Sequence, residues 1–73
     1  MKEIFFTRHA LQKLFKEKLS EEVAVRAVRE GAIVYEGKSK FKAILRARDC
    51  LLIAVCCEYA DYILVITVLK KKG

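Results

Sequence analysis

The sequence predicts an α+β domain in which an N-terminal helical hairpin packs on an antiparallel sheet of about four strands. Three observations lead there. Up to Gly31 the apolar residues recur at helical spacing, and beyond it they recur with period two. The segments after Gly31 are rich in β-branched residues. They are divided by Gly37-Lys38-Ser39, Asp49-Cys50 and Tyr59-Ala60-Asp61, connections short enough that consecutive strands should pair antiparallel. The 73 residues form one domain, 1–73, without repeat, linker or low-complexity segment. A domain near this size buries only about 60% of its unfolded surface, so its stability is marginal. Proline is absent and 55% of residues are hydrophobic, which excludes a disordered chain.

Each element has its own warrant. Residues 4–6 read as a short strand or an extended lead-in. Thr7 is placed to cap a helix running to about Lys18, with Leu11, Leu14, Phe15 and Leu19 as its apolar stripe. Gln12, Lys13, Lys16 and Glu17 then face water. Ser20 caps a second helix, and Glu21 and Glu22 oppose the positive end of its dipole. Val23, Ala27 and Val28 line its core side, and Gly31 stops it. Strands follow over residues 32–36, 40–48, 51–58 and 62–69. The run LLIAVCCEYADYILVITVL, 51–69, has the length of a membrane span, but Glu58 and Asp61 sit near its centre. Each such charge costs roughly 2.5–3.5 kcal/mol in a bilayer core, so two strands and a turn are expected and no membrane.

Both faces of those last two strands are apolar. Ile63, Val65, Thr67 and Leu69 alternate with Tyr62, Leu64, Ile66 and Val68, while two helices can cover one face only. The uncovered face is expected to meet a second copy or a protein partner.

Charge points to the partner class. The net charge is +6 and the pI about 9.4, which favours an anionic partner, nucleic acid first and an acidic protein second. In KFKAILRAR, 40–48, Lys40, Lys42, Ile44, Arg46 and Arg48 point one way and Phe41, Ala43, Leu45 and Ala47 the other. That stripe of cations can follow a phosphate backbone. Lys70, Lys71 and Lys72 read as a frayed basic tail. Cys50, Cys56 and Cys57 are odd in number and lack C-x-x-C spacing, and one histidine is too few for a zinc site. Free thiols and the lack of an apolar leader predict a cytoplasmic protein with no metal and no cofactor.

RNA cleavage without metal needs a base, a cation for the phosphorane and an acid for the leaving oxygen. His9 is the default acid or base, since histidine ordinarily titrates near neutrality. It falls in a first helical turn, where phosphate binds well, and it serves equally as a structural residue that fixes the helix start. Lys13 lies one turn on, Arg8 is adjacent, and arginines such as Arg46 and Arg48 clamp phosphate bidentately. Any one of these cations also reads as part of a solvated face. Tyr35, Tyr59 and Tyr62 can stack on bases or pack strand edges. There is no glycine-rich phosphate loop, no serine or cysteine triad and no acidic pair for two metals.

The string FFTRHALQKLFKEKLSEEVAVRAVREGAIV, followed by basic and then apolar strands ending in VITVL, resembles the prokaryotic domain-of-unknown-function 4258 family over nearly the whole chain. Phe6, Thr7, His9, Lys13, Ser20-Glu21-Glu22 and Gly31 carry the resemblance. Glu17 stands where a second arginine is common, and Leu69 where an aromatic often follows. That family is similar in layout to the BrnT and RelE-like ribonuclease toxins of bacterial toxin–antitoxin pairs, small basic domains that cut RNA without metal. The resemblance implies an RNA-binding, RNA-cleaving toxin-like domain with a cognate antitoxin-like partner. The family itself has no settled activity, so the site is assigned from residue chemistry: catalytic residues His9, Lys13, Arg46 and Arg48, and RNA-binding residues Arg8, Lys16, Lys40 and Lys42. The alternative is a non-enzymatic module that dimerises, or binds a protein, through the apolar sheet face.

Overall fold

A computed structural model describes residues 2–72. The chain runs β1 (Glu3–Phe6), α1 (Arg8–Lys16), α2 (Glu21–Glu30), β2 (Ala32–Tyr35), β3 (Lys40–Arg46), β4 (Cys50–Glu58) and β5 (Tyr62–Lys72). The strands form one sheet in the order β1-β5-β4-β3-β2. Class and element order follow the sequence, but the sheet has five strands and is mixed. β1 pairs parallel with residues 62–65 of β5, and the other pairings are antiparallel. Four residues of alternation are too few to separate a strand from a lead-in by pattern, so only the pairing with β5 defines β1. Among the described residues no strand continues β1 alongside the rest of β5.

The helices do not pack as a hairpin. α1 lies on β5 and β1, α2 lies on β3 and β4, and contact between the two is slight. The core forms between them and one sheet face. It holds Ala10 and Leu14 of α1, Ala24, Ala27 and Val28 of α2, and Phe41, Ala43, Leu52, Ala54, Cys56, Val65 and Val68 of the sheet. Leu11 and Phe15, expected in the stripe of α1, fall outside this core, and Phe15 is 88% exposed. Ala10 and Leu14 supply the buried side instead, because α1 meets the sheet rather than α2.

Local chemistry sets the helix ends. The Thr7 hydroxyl accepts the Ala10 N–H at 3.0 Å and donates to the Ile66 carbonyl at 2.7 Å. That carbonyl belongs to a β-bulge: Val55 pairs with Thr67 and Cys56 with Val65, which leaves Ile66 as the extra residue. The bulge shifts the phase of β5. Val65 and Val68 both face the helices, so the expected set Ile63, Val65, Thr67 and Leu69 does not share one face. α1 ends earlier than expected, with Leu19 N–H on the Leu14 carbonyl at 2.8 Å and Lys18 N–H on that of Phe15 at 3.1 Å. This Schellman cap places Lys18 at φ 57, where glycine is usual. α2 is capped by the Ser20 hydroxyl and stops at Gly31 as expected, with an added reason. A Cβ on Gly31 would sit 2.4 Å from the Ile44 carbonyl oxygen and 2.6 Å from that of Ala27. Only glycine lets the helix end touch β3.

The strand limits differ from those expected by one to three residues. β3 ends at Arg46, and Arg48 sits in a tight turn closed by the Ala47 N–H on the Cys50 carbonyl at 2.8 Å. Residues 51–69 form two strands, and no helix among the described residues is long and apolar enough to cross a membrane. Lys70, Lys71 and Lys72 are not a frayed tail but the last residues of β5, paired with β4.

Candidate functional site

The face turned away from the helices is built by alternation. Phe41 and Ala43 are buried beneath β3 and Leu45 packs on the core, so Lys40, Lys42, Ile44 and Arg46 stand on the opposite side. Register then assembles rows across the sheet. Arg46 pairs with Leu51 and Leu51 with Lys71. The next row is Ala32, Ile44, Ile53 and Leu69, followed by Val34, Lys42, Val55 and Thr67. Lys40, Cys57, Leu64 and Phe5 come after them.

Two ends of this face differ in chemistry. At one end Arg46 and Lys71 flank Leu51, with Arg48 and the acid Asp49 at the hairpin tip, while Lys70 and Lys72 pair with Leu52 and Cys50 and alternate to the helix-bearing side. Arg46 and Lys71 are two strands apart, about 10 Å. At the other end lie aromatic rings. Tyr59 stacks on Tyr62 at 4.7 Å with planes 22° apart, and Phe5 meets Tyr62 edge-on at 5.6 Å and 79°. Phe5 is 49% and Tyr59 42% exposed. The Tyr59 hydroxyl is held above its ordinary range, first by hydrogen bonding to Cys57, so the ring stays neutral. From Leu51 to Cys57 is six residues of strand, which puts the two ends about 20 Å apart. The floor between them is mostly apolar, with Ile44, Ile53, Val55 and Leu69, and carries Lys42 and Thr67 in one row.

The stripe on β3 is less uniform than its spacing suggests. Lys42 bonds Glu36 at 3.1 Å, which offsets its charge, while Lys40 and Arg46 are exposed. The second group of candidates, Arg8, His9, Lys13 and Lys16, lies on α1, on the helix-bearing side. The sheet stands between it and Arg46, so His9, Lys13, Arg46 and Arg48 do not converge on one phosphate. The helix start is fixed by Thr7, while His9 and Arg8 are exposed in a first turn that carries no acid. Tyr35 parts from the other tyrosines. It pairs with Phe41, on the covered side, and its hydroxyl donates to Glu58 Oε1 at 3.3 Å. Lys2 Nζ donates to Glu58 Oε2 at 2.8 Å, and this hydrogen bond holds the Glu58 carboxyl below its ordinary range.

Other chemistry is sparse. Among the described residues no three His, Cys, Asp or Glu side chains gather as a metal site. A groove of about 390 Å³ is lined by Leu11, Leu14, Phe15, Leu19, Ser20 and Glu21, and none of the candidate residues reaches it. All three cysteines are free; burial pushes the Cys56 thiol up to about 12, which makes it an inert packing group. The contribution of Lys71, within the run Lys70-Lys71-Lys72, was hidden in the sequence. Its one signal is that no glycine or proline separates these lysines from the strand before them.

Compared with family models, with curated proteins and with solved structures, the chain has no match.

Proposed function

We propose that the protein binds RNA through the helix-free face of its sheet, with phosphates held at the basic end. The observation that carries this is the register that brings Lys71 of β5 into one row with Arg46 of β3, next to Arg48 at the hairpin tip, from two distant stretches of sequence. Fixed cations on paired strands meet a polyanion with less ordering cost than a loose tail. The proposal extends to a toxin-like role in the reducing cytoplasm, after the resemblance to the domain-of-unknown-function 4258 and RelE-like families. In that extension His9 and Lys13 are the cleaving pair, an antitoxin-like protein is the partner, and no cofactor takes part.

Anisotropy of a labelled RNA, titrated at several salt concentrations, tests the binding. Log affinity should fall with log salt by about 0.7 per neutralised phosphate of a single strand. Arg46→Glu with Lys71→Glu should abolish binding, and Lys13→Glu with Lys16→Glu should leave most of it. Wild-type affinity no better than that of a protein of equal pI sinks the proposal. Cleavage is tested on mixed RNA in EDTA, where His9→Ala should keep affinity and lose product.

The row Ile44, Ile53 and Leu69, uncovered by either helix, favours a second reading, a module that dimerises through this face. Light scattering separates the two. A dimer that Ile53→Lys converts to monomers, with no RNA affinity in the wild type, selects the second.

A further inference from the structure

We infer that Phe5, Tyr59 and Tyr62 form a base-stacking platform, so that the ligand of the helix-free face is a single strand with unpaired bases. This rests on the RNA-binding reading and names its substrate class. Three observations carry it. The rings sit on the same face as the cations rather than in the core. They are already arranged: Tyr59 and Tyr62 lie nearly parallel, and Phe5 braces Tyr62 from its edge. The turn that presents Tyr59 is closed by its own N–H on the Tyr62 carbonyl at 2.8 Å, so the exposed ring is held by backbone.

The spacing of the two ends then decides between strands and duplexes. About 20 Å of mostly apolar floor, in which Lys42 is already paired with Glu36, separates rings from the basic end, the length of about six nucleotides stacked 3.4 Å apart. A single strand can put phosphates on Arg46 and Lys71 and still lay bases on the floor and the rings. A duplex keeps its bases inside and shows phosphate along its whole flank. It would gain the basic end and the cations along β3, but would press its other phosphates onto the apolar row of Ile44, Ile53 and Leu69. Sequence preference should be weak, because every base offers a π-face.

The test compares a labelled ten-nucleotide oligo-U with a blunt duplex RNA of the same length, for wild type, Tyr59→Ala, Tyr62→Leu and the conservative Tyr59→Trp. Circular dichroism confirms that each variant is folded. Expected are single-strand binding at least tenfold tighter than duplex binding and a loss of about tenfold in Tyr59→Ala and Tyr62→Leu. The salt slope should not change, since no phosphate contact is removed, and Tyr59→Trp should restore affinity. Equal affinity for the duplex, or tyrosine variants that bind like wild type while Arg46→Glu with Lys71→Glu still abolishes binding, overturns the platform and leaves the RNA-binding reading. No binding of either RNA by the wild type overturns both.

Discussion

The two faces of the sheet use opposite packing rules. On the covered face five alanines, Ala10, Ala24, Ala27, Ala43 and Ala54, are fully buried, and Gly31 abuts a backbone oxygen of β3. Small side chains let two short helices lie close to the strands, and the interior has no slack. On the open face the pairs are larger, Ile44 with Ile53 and Ile53 with Leu69, and they shield one another only in part. The fully buried side chains are therefore concentrated on the first face. Substitutions should divide the same way: those on the covered side cost the fold, and those on the open side cost contact with a ligand.

Gly31→Ala breaks the close approach and should have the largest effect. The new methyl meets two carbonyl oxygens, so helix end and strand must separate, at about 3 kcal/mol in chemical denaturation. Gly37, with open space around its Cβ position, is the internal control, and Gly37→Ala should be near neutral. Thr7→Ala comes next. It removes a helix cap and the donor that satisfies the bulge carbonyl, for about 2 kcal/mol together. A variant as stable as wild type would mean that the bulge does not need the cap.

Lys18→Gly runs the other way. A left-handed lysine costs roughly 1–2 kcal/mol, and the greater freedom of unfolded glycine takes back part of that, so a gain of about 0.5 kcal/mol is expected. The rim of the covered face should show the smallest effect, as a pH dependence. Glu58 is held low by Lys2 and Tyr35, so its contribution is complete above its unfolded value of 4.5 and drains as pH falls through the folded one. Glu58→Gln should be less stable than wild type at about pH 7, and the gap should close as pH falls below the folded value of Glu58. A gap that persists in acid would assign the effect to packing instead.

What the sequence disclosed follows the range of the interactions. Thr7, Ser20 and Gly31 were legible because a cap is settled within four residues. β3 was legible because Lys40, Lys42 and Arg46 fall on one side of the alternation and Phe41, Ala43 and Leu45 on the other. The bulge at Ile66 was not, since an extra isoleucine in an apolar run leaves no compositional trace. The exposure of Phe15 was also hidden, because a nine-residue helix with alanine on one side and leucine and phenylalanine on the other offers two candidate core faces. Of the candidate site, the residue types and the β3 stripe were readable. The gathering of Arg46 with Lys71, and the separation of His9 from both, depend on strand order and register, which no single segment encodes.

β1 is short, and the outer margin of β5 beyond it has no neighbour among the described residues. An unpaired margin of backbone is a template on which another chain can add, the route to fibrils and swapped assemblies, and lysine is a common guard against it. Lys70, Lys71 and Lys72 stand along that margin. Under the RNA-binding proposal the guard lysines include Lys71, so colloidal behaviour and anion contact would share an ammonium group. Acetylation, which removes their charge, would weaken both at once, with filament growth visible by light scattering as the guard is lost.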